Sequence, residues 1–305
     1  MAHAPWLSIL VFFPLAAAAV VAMMPTGSPR TARLVATGAA LIELLVSLPL
    51  WWRLAPRAPG FQFEESLNWI PAIGARYHLG VDGVSALLAL LTTITTFVAL
   101  LGAWTAVEKR AREFYALVLA LEAGMLGTFF SLDLLLFYMF WEAMLIPMYL
   151  LIGVWGGQRR VYAAVKFFLY TMAGSVLMLV AILSLWLTQR AATGTPTFDL
   201  TVFYQMPLSP SHQFWLFLAF AVAFAIKVPM FPLHTWLPDA HVEAPTAGSV
   251  ILAAVLLKMG TYGFVRFAMP LFPNALQVCG PWIAGIALVG IVYGALVAMV
   301  QPDLK

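Results

Sequence analysis

Three ionisable side chains stand inside apolar sequence. Glu142 lies in the run F-Y-M-F-W-E-A-M-L-I-P, Lys227 in F-A-V-A-F-A-I-K-V-P and Lys258 in L-A-A-V-L-L-K-M-G. A lysine or aspartate at the centre of a membrane helix costs about 2.5–3.5 kcal/mol. A structural salt bridge between Glu142 and Lys227 would offset part of that cost. It would leave Lys258 without an acidic residue near its depth. Ionisable residues held inside a membrane mark ion or proton paths. The chemistry expected of Glu142, Lys227 and Lys258 is therefore proton transfer.

The sequence after Lys227 sharpens this reading. Pro229, Pro232 and Pro238 follow within K-V-P-M-F-P-L-H-T-W-L-P, and each removes a backbone donor and crowds the preceding turn. A helix break is expected there. Broken backbone at membrane depth is tolerated only inside protein or beside a hydrated cavity. His234 and His241 follow the break and are candidate proton relays, because imidazole titrates near neutral pH. His241 reads equally as part of an interfacial polar loop. Glu122 is a further relay candidate, placed either to share a proton with Glu142 or to bond a neighbouring hydroxyl. The His234/His241 spacing, with Asp239 and Glu243 nearby, does not match the i, i+4 ligand pair of a helical metal site. No metal site is expected.

These side chains need helices to position them, and the composition supplies little else. Hydrophobic residues make up 63% of the 305 residues and charged residues 10%, against about 25% charged in soluble domains. Apolar runs of about 18 or more residues recur along the chain, each long enough to cross a bilayer. The expected fold class is all-α: a polytopic transmembrane bundle of about nine helices with a discontinuous seventh. The spans are placed at 6–24, 31–53, 81–106, 114–131, 134–155, 163–188, 213–229, 245–268 and 279–300. From the helical rise, Glu142, Lys227 and Lys258 lie roughly 12, 21 and 20 Å into their helices, near one central layer. The first run lacks a basic leader and a small-residue cleavage pattern, so it reads as a helix and not a removed signal. The loop 54–80 alternates around Phe61 and Phe63 as a short hairpin would. Asp82 suits the start of the third span, at the positive end of the helix dipole.

Charge placement suggests an orientation. One set of loops holds Arg30, Arg33, Lys109, Arg110, Arg112, Arg159, Arg160, Lys166 and Lys305; the other holds Arg53, Arg57, Arg76, Arg190 and Arg266. The richer set is read as cytoplasmic, which puts the N-terminus outside and Lys305 inside. The lone Cys279 excludes a disulfide within the chain and offers no thiolate cluster. No phosphate-binding loop, dinucleotide fingerprint or nucleophile motif is present, so a soluble-type enzyme reading has no support. Nothing points to nucleic acid.

The segment 140–153 around Glu142, and the segments 227–247 and 256–263 around Lys227 and Lys258, resemble the antiporter-like proton-channel subunits of respiratory complex I. G-V-D-G-V-S at 80–85 and Q-P-D-L-K at 301–305 fit the same family. The resemblance covers nearly the whole chain. It implies five-helix half-channels related as inverted repeats. Residues 1–111 would then form three N-terminal helices, 112–268 the first unit and 277–305 the first helix of a second. It implies a glutamate–lysine pair at Glu142 and Lys227 and a central lysine at Lys258. It implies a multi-pass subunit of the bacterial inner membrane that carries no cofactor itself. NADH, FMN, iron–sulfur clusters and quinone belong to partner subunits, and homologous membrane-arm subunits are its neighbours. Relatives continue where this sequence stops, so a fragment is expected. A cation/proton antiporter or energy-converting hydrogenase subunit shares the same charge pattern. A scaffold reading predicts instead that the buried charges tolerate apolar replacement.

Overall fold

The computed structural model describes residues 5–25, 27, 29–55 and 60–301. Arg57, Lys305 and most of the motif at 301–305 lie outside them. In chain order the helices are α1 (Trp6–Met23), α2 (Pro29–Ser47) and α3 (Pro49–Arg53), then the strands β1 (Gln62–Ile70) and β2 (Ala75–Val81). α4 (Gly83–Gly102), α5 (Ala111–Phe130), α6 (Leu134–Ala143), α7 (Leu145–Trp155), α8 (Arg160–Thr193) and α9 (Leu200–Phe203) follow. The remainder is α10 (Pro210–Lys227), α11 (Trp236–Glu243), α12 (Thr246–Ile251), α13 (Leu257–Gly263), α14 (Met269–Leu271) and α15 (Pro273–Met299). Leu252–Leu256 and Phe264–Ala268 are π-helical and join α12, α13 and α14 into one bent rod.

Among the described residues, eight helical stretches are long and apolar enough to cross a membrane. The expected seventh span is the exception. It is α10, cut after Lys227, with the chain resuming as a helix only at Trp236. Two other expected spans are interrupted as well. The second breaks at Leu48, before Pro49, and the fifth breaks at Met144. The cause of the second interruption is Pro147, which has no N–H to give the carbonyl of Ala143.

The hairpin anticipated near Phe61 and Phe63 is β1–β2, antiparallel, with Ser66 opposite His78 and Asn68 opposite Arg76. Its corner needs Gly74. The residue has φ +70°, and a Cβ there would meet the Pro196 carbonyl oxygen at 1.9 Å. Three aspartates start the helices that follow. Asp82 accepts from the N–H of Ser85, Asp133 from Leu135 and Leu136, and Asp199 from Thr201, each near 3 Å.

Side chains sort the loops into two ends. At one end Arg33 donates to the Val107 carbonyl, Arg112 to that of Met24, and the Trp155 indole to that of Lys109. At the other end the Arg76 amide donates to Asp133, Trp186 donates to the Ile73 carbonyl, and Arg266 pairs with Asp82. Arg33, Lys109 and Arg112 of the richer basic set thus lie at one end, and Arg76 and Arg266 of the other set at the opposite end. Between the ends lies a core rich in phenylalanine, including Phe114, Phe129, Phe137, Phe217 and Phe224. Outside this core, α15 is buried only at Ala275 and Cys279.

Candidate functional site

Lys227 is the last residue of α10 and only 2% exposed. Its Nζ has no hydrogen-bond partner. Two ring faces surround it instead, with Trp141 at 5.1 Å and Phe167 at 5.9 Å from the ammonium. The negative face of an indole attracts a cation, by about 2 kcal/mol where water is excluded. Glu142 follows Trp141 at the end of α6 and is half-buried. It interacts electrostatically with Lys227 without closing a direct ion pair, and the Ser175 hydroxyl and Tyr138 lie near it. The oxygen Oε1 of Glu142 has no partner. A carboxyl and an amine, both under-satisfied and held apart, can exchange protons with water more readily than a closed salt bridge can.

Both halves of this pair sit at helix interruptions. Pro229 cannot donate to the Ala225 carbonyl, and the N–H of Met230 takes that role at 2.8 Å. The Ile226 carbonyl thereby loses its usual donor. The Trp236 indole N–H fills the place at 2.8 Å, from a side chain that is itself fully buried. Freed backbone groups in a membrane helix must find such partners. Segment 228–235, holding Pro229 and Pro232, is non-helical. Pro238 corrects the expectation placed on it. It lies in the first turn of α11, where a missing N–H is harmless.

α11 is clamped at the end where the loops of Arg159 and Lys109 gather. Asp239 pairs with Lys166 at 2.8 Å and with Arg159 at 3.6 Å, and Glu243 pairs with Arg159 at 3.8 Å. Lys166 is thus engaged in an ion pair where the sequence suggested only a side chain reaching for the interface. His241 lies on α11, and its carbonyl accepts from the Ser249 hydroxyl.

The other predicted residues are not gathered at Lys227. Lys258 is exposed and donates to the Ala253 carbonyl at 2.5 Å. It shares an outward stripe with Thr261 and Val265, while Gly260 and Gly263 on the opposite face press on α10. A Cβ on Gly260 would lie 2.8 Å from the Val228 nitrogen, and one on Gly263 would lie 2.4 Å from the Phe224 ring. This contact turns the lysine away from Lys227, although the depth calculation puts both near one central layer. His234 is half-buried, stacked on Phe231 and edge-on to Tyr293 of α15. Glu122 is fully buried, but its acidic neighbour is Glu43 of α2 and not Glu142.

Glu43 was missed in the sequence. It is 1% exposed, and neither carboxylate oxygen has a partner. The signal was available, as a lone acid inside the run L-V-A-T-G-A-A-L-I-E-L-L-V-S.

The family model described as "NADH:quinone oxidoreductase/Mrp antiporter, TM" matches residues 131–305, more than half of the chain. The chain belongs to this family. Subunit M of the NADH-quinone oxidoreductase of Rhodobacter capsulatus is 50% identical across 98% of this chain. Chain 4 of the NADH-ubiquinone oxidoreductase of Arabidopsis thaliana is 45% identical, also across 98%. A solved structure of respiratory complex I from Thermus thermophilus with bound NADH contains a chain that superposes with a TM-score of 0.85 at 35% identity, covering 98% of this chain. The chain spans about 60% of the length of these relatives. Residues 131–305 take in both halves of the Glu142–Lys227 site and the bent rod carrying Lys258. The match therefore takes in the interruptions at Met144 and after Lys227.

Proposed function

We propose that this chain is a proton-conducting, antiporter-like subunit of the membrane arm of an NADH–quinone oxidoreductase. The observation that carries the reading is the buried Lys227 ammonium, held by ring faces with Glu142 in electrostatic reach beside a broken helix. A negative Glu142 stabilises the charged ammonium. When Glu142 is neutralised or withdrawn, Lys227 keeps only the rings, and its proton passes to water in the break. The carriers are Glu142, Lys227 and Lys258, with His234, His241 and Glu122 as relay groups. Protons released by Lys227 pass through water and His234 toward Lys258.

The driving energy comes from redox chemistry on NADH, FMN, iron–sulfur clusters and quinone in partner subunits. This chain supplies none of those cofactors and works beside homologous membrane-arm subunits. Residues 1–111 act as an N-terminal three-helix support, 112–268 as the first five-helix unit and 277–305 as the start of a second. The membrane is the bacterial inner membrane. The richer basic loops face the cytoplasm, the N-terminus lies outside and the end at Lys305 lies inside.

The test is proton pumping per electron pair in the intact assembly carrying Glu142→Gln, Lys227→Ala or Lys258→Ala. Each substitution is expected to reduce pumping, and normal pumping in all three would overturn the reading. The family description also names antiporters. That second reading predicts proton movement that depends on a sodium or potassium gradient without added NADH.

A further inference from the structure

Glu43 belongs to no part of the path above, and Glu122, a relay group there, has Glu43 and not Glu142 as its acidic neighbour. Glu43 lies about 21 Å along the span that begins at Pro29, and Glu122 about 17 Å along the one that begins at Ala111. The two spans run in the same direction through the chain, so both carboxyls sit at similar mid-membrane depth. They are 1% and 0% exposed, and none of their four carboxylate oxygens has a hydrogen-bond partner. Glu43 is the acidic neighbour of Glu122. A third polar group points at them. The Thr96 hydroxyl of α4 is fully buried, otherwise unpartnered, and faces Glu122 without closing a well-formed bond.

Among the described residues, no cation answers these acids. α1 and α4, packed against α2 and α5, carry no ionisable residue. Arg30 and Arg33 lie at the start of α2, where Arg33 is spent on the Val107 carbonyl. Arg112 and Glu113 occupy the first turn of α5 and engage each other. On α6, Glu142 is turned to Lys227. On α7, Tyr149 packs on Phe168. Arg76, Tyr77 and His78 of β2 stand at the far end, with Arg76 and His78 on Asp199. Two neighbouring carboxyls in apolar surroundings ionise one after the other and not together, so that between the two steps the pair holds a single proton. A purely structural pair would have its oxygens satisfied.

We propose that Glu43 and Glu122 form a proton-binding site between α2 and α5, in which the pair holds one exchangeable proton and Thr96 orients Glu122. The proton is taken from water and returned to it, with no other reactant. The site shares Glu122 with the proposed function but does not involve Lys227, so its test reads the two acids without reference to pumping.

The test is infrared spectroscopy of the intact protein in lipid, in H2O and D2O, followed across pH. The carbonyl stretch of a protonated carboxyl, downshifted by D2O, is expected to disappear in two steps in the wild type. Glu43→Gln and Glu122→Gln should each leave a single step, and the double variant should lose the signal. Thr96→Val removes neither acid. It should displace the steps without reducing their number, which keeps the test usable if a glutamine variant fails to fold. A signal unchanged in the double variant, or insensitive to D2O, would overturn the proposal. Loss of the wild-type signal on adding sodium, but not choline, at fixed pH would overturn it in favour of a cation site.

Discussion

The ammonium of Lys227 sits 5.1 Å from the centre of the Trp141 ring, and no oxygen atom hydrogen-bonds to it. A buried ion normally recovers its lost hydration through hydrogen bonds, and replacing buried ions by apolar groups of similar shape is often neutral or stabilising by about 1–4 kcal/mol. Lys227 keeps its charge against that balance. The expected outcome of Lys227→Met is therefore a split. Thermal stability is unchanged or higher, while proton pumping falls to background. A large loss of stability with pumping intact would show the lysine to be structural.

Trp141 should act through the lysine it faces. Trp141→Phe keeps a ring face and Trp141→Leu removes it, forfeiting about 2 kcal/mol of cation–π attraction. Pumping should fall in the order wild type, phenylalanine, leucine. The pH profile of pumping should move with the leucine variant, a readout that a mere packing defect would leave in place.

The close contact between the bent rod and α10 gives a prediction about shape. A Cβ at Gly260 would meet backbone atoms of Phe224 and Val228 at 2.8 Å, and backbone cannot swing aside as a side chain can. Gly260→Ala should cost about 1–3 kcal/mol, the usual range for overpacking. Gly153→Ala serves as the control, since its Cβ would make ordinary contact with Ala164 at 3.6 Å. Denaturation midpoints in detergent would separate the two, and equal midpoints would contradict the close packing of Gly260 on Phe224 and Val228.

How much of this could be read in advance follows from what each signal depends on. Glu142 and Lys227 were legible because a charge inside an apolar run stands out, and Pro229 and Pro232 marked the break beside them. Their shared enclosure was legible only in part. That Trp141 and Phe167 supply the contacts depends on α6 and α8 meeting at Lys227, which spacing does not encode. The depth estimate for Lys258 said nothing of which face of its helix it occupies, and the structure turns it outward. The π-helical turns at Leu252–Leu256 and Phe264–Ala268 change the rotation that a regular helix would give. Pro238 was read as a breaker because its residue type was weighed without its position in α11. Glu43 carried the same signal as Glu142 and was passed over, since no proline, histidine or lysine stood beside it.

Trp236 anchors the break by a single hydrogen bond to the Ile226 carbonyl at 2.8 Å. Trp236→Phe keeps much of the aromatic packing, including the approach to Phe167 at 5.4 Å, and deletes the donor. The carbonyl is then buried without a partner, at a cost of about 1–3 kcal/mol. Hydrogen exchange should rise at the amides of segment 228–235 and spare those of α5. A uniform rise over the whole chain would mean that the tryptophan supports the fold at large and not the break.

The hairpin should loosen from the following loop with pH. His78 of β2 is buried and bonds Asp199 through Nδ1 at 2.9 Å, with Glu64 at 3.5 Å from Nε2. Burial alone would push the His78 pKa down, but Asp199 and Glu64 outweigh it and hold it above the ordinary 6.5. Asp199 moves the opposite way. Burial works against its ionised form, yet its bonds to His78 and Thr201 keep its carboxyl below the ordinary 3.8. The signs follow from which state binds more protons. The histidine's contribution is complete below its unfolded pKa of 6.5 and is lost as pH rises through the higher folded value. The aspartate's contribution is complete above 3.8 and is lost as pH falls through the lower folded value. Attachment of β2 to the loop at Asp199 should therefore be firmest between the two unfolded values and weaken on the alkaline side first. Hydrogen exchange of residues 75–81 as a function of pH would measure this, with His78→Gln expected to abolish the alkaline rise and leave the acid one. An alkaline rise that persists in that variant would place the titrating group elsewhere.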